Sequence, residues 1–144
     1  MNVLQFFTSV EGRITRQQFW LGIVAITFVG SPIVGLSALL GGATAGAIVN
    51  LVFLWCGFAL SVKRANDRDR HYLFVAAYFA LVAIVTSMSA SQTKTVDRMA
   101  SEQQTLFAIV SLIFLGYMLF LFVDLGLRRG TEGANKYGPD PLQP

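Results

Sequence analysis

From Gln17 to Val62 the chain runs for 46 residues without a charged side chain. A charge is expensive in hydrocarbon, so charges mark where a chain leaves a membrane. One spanning helix takes about 20 apolar residues; a run of this length holds two helices and a turn. Gly41-Gly42 is the place for the turn, because paired glycines break helices and permit positive φ. The expected helices cover about 19–40 and 43–62. Charged residues are only 13% of the whole chain and hydrophobic residues 54%. A soluble domain carries about 25% charged residues. This balance excludes intrinsic disorder and argues against a water-soluble fold. Cys56, the lone cysteine, excludes an internal disulfide and a cysteine-based zinc cluster.

Two further spans follow. Tyr72 to Met88 is apolar and near the short end of the spanning range, giving a third helix over about 72–88. A polar connection with Lys94, Asp97, Arg98 and Glu102 leads to Gln103–Val123, an uncharged run of 21 residues, and a fourth helix over about 103–127. Thr15 with Gln18, and Ser101 with Gln104, have the spacing of capping boxes. The expected architecture is all-α: one membrane domain over 1–144, a four-helix transmembrane bundle of two helical hairpins.

Four spans put both termini on one side. That side holds nine lysines and arginines, against two (Lys94 and Arg98) on the other. The excess places both termini in the cytoplasm, in a multi-pass plasma membrane protein. The opening segment lacks the pattern of a signal peptide. Residues 1–18 read as an interfacial lead-in, with Val3, Phe6, Phe7, Val10 and Ile14 at roughly helical spacing; an interfacial helix and a plain apolar approach both fit. Three of the four prolines fall in residues 130–144, so the tail is extended or turn-rich. Pro32 is expected to kink the first helix.

The densest polar cluster is Lys63-Arg64-Ala65-Asn66-Asp67-Arg68-Asp69-Arg70-His71, read as the connection between the second and third helices. Its arginines suit phosphate, and basic juxtamembrane segments attract anionic lipid; equally, such a segment serves to set topology. Asp67 and Asp69 exceed what topology needs and suggest a hydrogen-bonded turn. Asp67, Asp69 and His71 make a poor metal site, because Arg68 and Arg70 between them repel a cation. Asp124 stands four residues before Arg128, the favourable order for a helical ion pair at the interface. Gly46, Asn50, Gly57 and Ser61 mark a small-residue packing face on the second helix. Hydrolase, zincin and phosphate-loop signatures are missing, so neither enzymatic activity nor a cofactor is expected, and nucleic acid is not an expected partner.

Taken together, the polar segments resemble a known family. Gly12-Arg13-Ile14-Thr15-Arg16 followed by Phe19-Trp20, the basic Lys63-Arg64 with Asp67-Arg68, and the ending Gly130-Thr131-Glu132-Gly133-Ala134-Asn135-Lys136-Tyr137-Gly138-Pro139-Asp140-Pro141 are similar to the opening, middle loop and tail of the DUF805 family, the YhaH-type bacterial inner-membrane proteins. That family often has a histidine before the loop aspartate and a tryptophan after it; here Asn66 and His71-Tyr72 stand there. The resemblance implies a four-helix inner-membrane protein and supplies no reaction or substrate. All three segments fall on the cytoplasmic face of the expected topology. A polar cap is therefore expected, formed by Arg13, Arg16, Arg64, Asp67, Arg68, Asn135 and Tyr137, with Arg13–Asp67 or Arg64–Asp67 pairing locking the tail. Such a cap would meet anionic headgroups or a protein partner, and a homo-oligomer is compatible with it. The alternatives are a small transporter or channel, with a polar path through Asn50, Thr27, Ser31, Ser111 or Tyr117, and a lipid-modifying enzyme with Asp67, Asp69 and Asp124 on a metal.

Overall fold

The computed structural model describes residues 2–92 and 101–143. Lys94, Asp97 and Arg98 of the polar connection lie outside them, as do the side chains of Ser101 and Glu102. Among the described residues every regular element is helical. A short helix α1 (Val3–Thr8) opens on a capping box between Asn2 and Gln5. Helix α2 (Arg16–Ala25) opens on a second one, Thr15 with Gln18, so this helix begins three residues before the expected start.

A π-helical turn, Ile26–Gly30, joins α2 to α3 (Ser31–Asp67). Pro32 sits in the first turn of α3. It has no N–H to bond back one turn, and its ring crowds the carbonyl there. The widened turn accommodates both defects. Gly42 breaks α3 with φ 78° and ψ 176°, a conformation open to glycine and costly elsewhere. The chain reverses there. Gly46 lies against Ala38, Gly30 against Phe53 and Gly22 against Leu60, so residues at matching distances from Gly42 meet across an antiparallel hairpin.

The second hairpin is α4 (Leu73–Gln92) and α5 (Ser101–Leu121), with a π-helical turn, Phe122–Leu127, ending α5. Phe74 meets Phe120 with ring centroids 5.4 Å apart, and Tyr78 stacks on Phe114 at 5.6 Å. The partner number falls as the chain advances, so this pair is antiparallel too. Phe58–Phe79 at 5.3 Å and Trp20–Phe122 at 5.5 Å join the hairpins.

The core lies at one pole. Ile14, Phe19, Leu60, Val62, Ala65, Val75, Leu121 and Leu125 are buried, and Phe6, Phe7 and Val10 of the lead-in pack on them. Away from that pole the rods are bare: Leu39, Leu40 and Leu112 are 83%, 81% and 68% exposed. The segments Arg16–Asp67 and Gln104–Leu127 are long and apolar enough to cross a bilayer, and Leu73–Met88 is a shorter apolar helix.

Candidate functional site

The polar pole begins where the second arm of α3 overruns its expected end. Lys63–Asp67, expected in the connection between helices, is the last turn of α3 and is buried. The turn closes with Arg70 N donating to Ala65 O (2.8 Å) and Asp69 N to Asn66 O (3.1 Å). Asp69 takes φ 53°. This is a Schellman termination with aspartate in the left-handed position that glycine or asparagine usually fills. Burying these charges is tolerable only with full pairing, and each has its partners.

Asp67 is the hub. One carboxylate oxygen accepts Arg13 Nε (3.1 Å) and Nη2 (3.0 Å), and the other accepts Arg64 Nη1. Its carbonyl accepts the Thr131 amide at 2.8 Å and hydroxyl at 3.0 Å. Arg13 places all five of its N–H donors. Beyond Asp67 they reach Thr131 O and Gly133 O, both at 2.7 Å, and Gly138 O at 3.3 Å. The tail thus wraps a guanidinium. Gly130 must be glycine here, since a Cβ would stand 2.0 Å from Asp67 Oδ2.

Arg64 does a second job. A helix ends with carbonyls that have no internal partner, and at the end of α5 side chains supply the donors in sequence. Leu125 O accepts Arg64 Nε (2.8 Å), Gly126 O accepts Trp20 Nε1 (3.0 Å), and Leu127 O accepts Arg16 Nη1 (3.0 Å). Arg128 O accepts Arg64 Nη2, and Arg129 O accepts Arg68 Nη1. The cationic donors also oppose the negative end of the helix dipole. Lys63 treats α1 the same way, donating to Gln5 O and Phe6 O at 2.7 Å each. Asn66 Nδ2 donates to Val10 O and Gly12 O, and Asn66 O accepts Asn135 Nδ2 at 2.9 Å.

The structure therefore brings Arg13, Arg64, Asp67 and Asn135 together. Arg16 and Arg68 do not touch Asp67. Arg68 instead joins Asp124 at 3.1 Å, with Arg128 at 3.4 Å and Arg70 at 3.7 Å from the same carboxylate. Asp124, read as the partner of Arg128 alone, is buried among three arginines, a convergence that helical spacing reveals only for Arg128. Tyr137 OH donates to Arg70 O, and the Tyr137 amide donates to Asn135 Oδ1. Lys63, Asn66 and Thr131 also belong to the pole, although the expected cap does not include them; Lys63 and Thr131 stand inside the motifs that carry the family resemblance and Asn66 directly before Asp67.

Outside the buried set, Asp69 meets Lys136 at 3.2 Å, and that hydrogen bond raises the Lys136 ammonium above its ordinary pKa. The backbone amides of Leu142 and Gly133 hold Asp140 below the usual carboxylate range. Asp67, Asp69 and Asp124 each face cations and do not converge, and the described residues contain no cluster of three metal-ligating side chains. Of the packing face, Gly46 lies on Ala38 and Ser61 Oγ donates to Gly57 O. Asn50, Gly57 and Ser61 line a cleft of about 720 Å³ between the hairpins, and Asn50 is exposed in it.

Fold and pole together define a class: an all-helical protein with apolar rods, whose two chain ends are tied by arginines into one polar pole. The chain belongs to the DUF805 family, "Protein of unknown function (DUF805)", whose model matches residues 7–139. It is 32% identical over 147 aligned residues to "Uncharacterized protein YiiR" of Escherichia coli strain K12, an alignment covering 97% of this chain and 90% of the relative. The YiiR of Escherichia coli O157:H7 matches to the same extent. No solved structure matches.

Proposed function

We propose that the chain is a four-span protein of the bacterial inner membrane, with both termini cytoplasmic, and that it is a non-enzymatic binder of anionic lipid headgroups. The bare apolar rods and the excess of lysine and arginine at the tied pole support the topology. The observation that carries the headgroup reading is the gathering of Arg16, Arg68, Arg70, Arg128 and Arg129 around the end of α5. Asp124 is the carboxylate paired among them, and Arg16, Arg128 and Arg129 are exposed.

This reading moves the binding surface. Arg13, Arg64 and Lys63 spend their donors on the protein itself and form a latch. The outward arginines remain for phosphate. A transport path is less well supported. Of the residues expected on such a path, Asn50, Thr27 and Ser31 line the cleft, but the hydroxyls of Thr27 and Tyr117 bond to backbone carbonyls, and Leu125 and Gly126 line the cleft at the polar pole.

The test has two arms. In a Cys56→Ser background, Lys94→Cys should react with an impermeant maleimide in spheroplasts and Ala134→Cys should not; the reverse refutes the topology. Native mass spectrometry should show phosphatidylglycerol retained over phosphatidylcholine. Each basic residue near an anionic surface contributes about 1 kcal/mol, so Arg128→Gln with Arg129→Gln should cut that retention about tenfold or more. Equal retention of the two lipids refutes the headgroup reading.

A further inference from the structure

We propose that the cleft between the two hairpins is a binding site for one acyl chain of an anionic phospholipid, whose headgroup rests on the arginines at the cleft mouth. The proposal deepens the headgroup reading above and rests on it for the charge of the lipid.

The cleft has the size of a ligand site. Its volume of about 720 Å³ lies within the usual range of about 300–1,000 Å³. Its walls come from both hairpins, with Ile23 and Val34 on one side and Val82 and Met118 on the other. They are mostly apolar. The Thr27 and Ser61 hydroxyls on them are turned back to their own helices, and Ser31 and Asn50 are further polar side chains on the lining. Such a wall favours hydrocarbon over an ion or a sugar. A second copy of the chain fits poorly. A helix about 10 Å across would place only about 9 Å of its length, under two turns, in this volume. A thin, flexible methylene chain fills it.

The mouth specifies the rest of the ligand. Trp20 lines the cleft at its polar end and donates to Gly126 O. Arg16 lies one turn earlier on α2, hence above Trp20 on the same face, and is bonded to Leu127 O beside Arg128 and Arg129. An indole at the headgroup level with arginines above it matches the boundary between acyl chain and phosphate. Hydrocarbon space and positive charge thus meet at one edge, the seam of α2 and α5, and that continuity selects an anionic phospholipid.

Photo-crosslinking tests the site. Phosphatidylglycerol and phosphatidylcholine, each with a diazirine midway along one acyl chain, are incorporated with the full-length protein into nanodiscs, and adducts are mapped by mass spectrometry. Two variants fill the cleft from opposite walls. Gly35→Leu adds a side chain where a Cβ meets nothing within 4 Å, and Val82→Phe enlarges the facing wall. With the phosphatidylglycerol probe, adducts are expected on Ile23, Val34 and Phe53, and each variant should lower them at least fivefold while leaving adducts on outward Leu39 and Leu112 unchanged. Resistance of the tail to trypsin shows that each variant is folded. Adducts confined to the outward residues, cleft adducts that survive both folded variants, or a disulfide-linked dimer through Val82→Cys would each overturn the proposal. Equal cleft labelling by the phosphatidylcholine probe, still lost in the variants, would overturn the headgroup reading and leave the chain site standing.

Discussion

Asp67→Ala removes the carboxylate that Arg13 and Arg64 share. The side chain of Asp67 is 4% exposed and those of both arginines 1%, so water cannot take its place without opening the pole. At an effective dielectric constant of 20, a pair 3.0 Å apart, like Arg13 and Asp67, is worth about 5.5 kcal/mol before desolvation. Removing one partner of a buried pair costs about 3–5 kcal/mol, because the other charge is left uncompensated. The expected loss is therefore about 3–5 kcal/mol, a fall in Tm of roughly 10 °C for a chain of this size. The tail should loosen with it, because Arg13 ties Thr131, Gly133 and Gly138 to the same hub. Thermal unfolding in nanodiscs measures the first effect, and tryptic cleavage after Arg129 below the transition measures the second. Asp67→Asn separates charge from shape: it keeps the volume, loses the charge and should fall within about 1 kcal/mol of the alanine variant. A loss below about 1 kcal/mol for Asp67→Ala, or full stability in Asp67→Asn, would refute the argument that a buried negative charge holds the pole together.

Two further outcomes follow from the tail. Gly130→Ala should destabilise the folded state by about 1–3 kcal/mol, as overpacking does, and should raise tryptic cleavage at Arg129, because the new Cβ collides with Asp67; unchanged cleavage would show that the tail is not seated as described. Asp140 is held below its ordinary pKa by the amides of Leu142 and Gly133. A lowered folded value contributes stability above the unfolded pKa and loses it as pH falls through the folded one. Amide exchange at Gly133 and Leu142 should therefore gain protection lost only in acid, below the ordinary carboxylate range, and Asp140→Asn should abolish that pH dependence.

Much of the local structure is legible in the residues. The capping box of Thr15 and Gln18 starts α2, and the glycine pair places the reversal at Gly42. Each acts through neighbours three or four residues away, where local preference decides. The end of α3 is a harder case. Lys63 and Arg64 look like the residues that stop a membrane helix, and the physical cost of burying them argues for that reading. The helix continues because their donors meet carbonyls of α1 and α5, and nothing within a helical turn announces those partners. The same holds for Asp124: Arg128 is visible at i+4, whereas Arg68 and Arg70 arrive from the turn that follows α3.

The sequence by itself determined the helical class, the reversal at Gly42, the capping box of Thr15 and Gln18 and the turn-rich tail, since uncharged length, glycine geometry and capping spacing are local. Pairing of Arg13 or Arg64 with Asp67 is already expected from the sequence; only the tertiary structure decided that both pair with it at once and that Lys63 joins them facing inward, while Arg16, Arg128 and Arg129 face out. The reason is that orphan carbonyls at the ends of α1 and α5 must be satisfied. Which side chain satisfies them, Arg64, Trp20 or Arg16, depends on contacts between residues 61, 106 and 111 positions apart, a range over which only packing of the two hairpins sets the geometry.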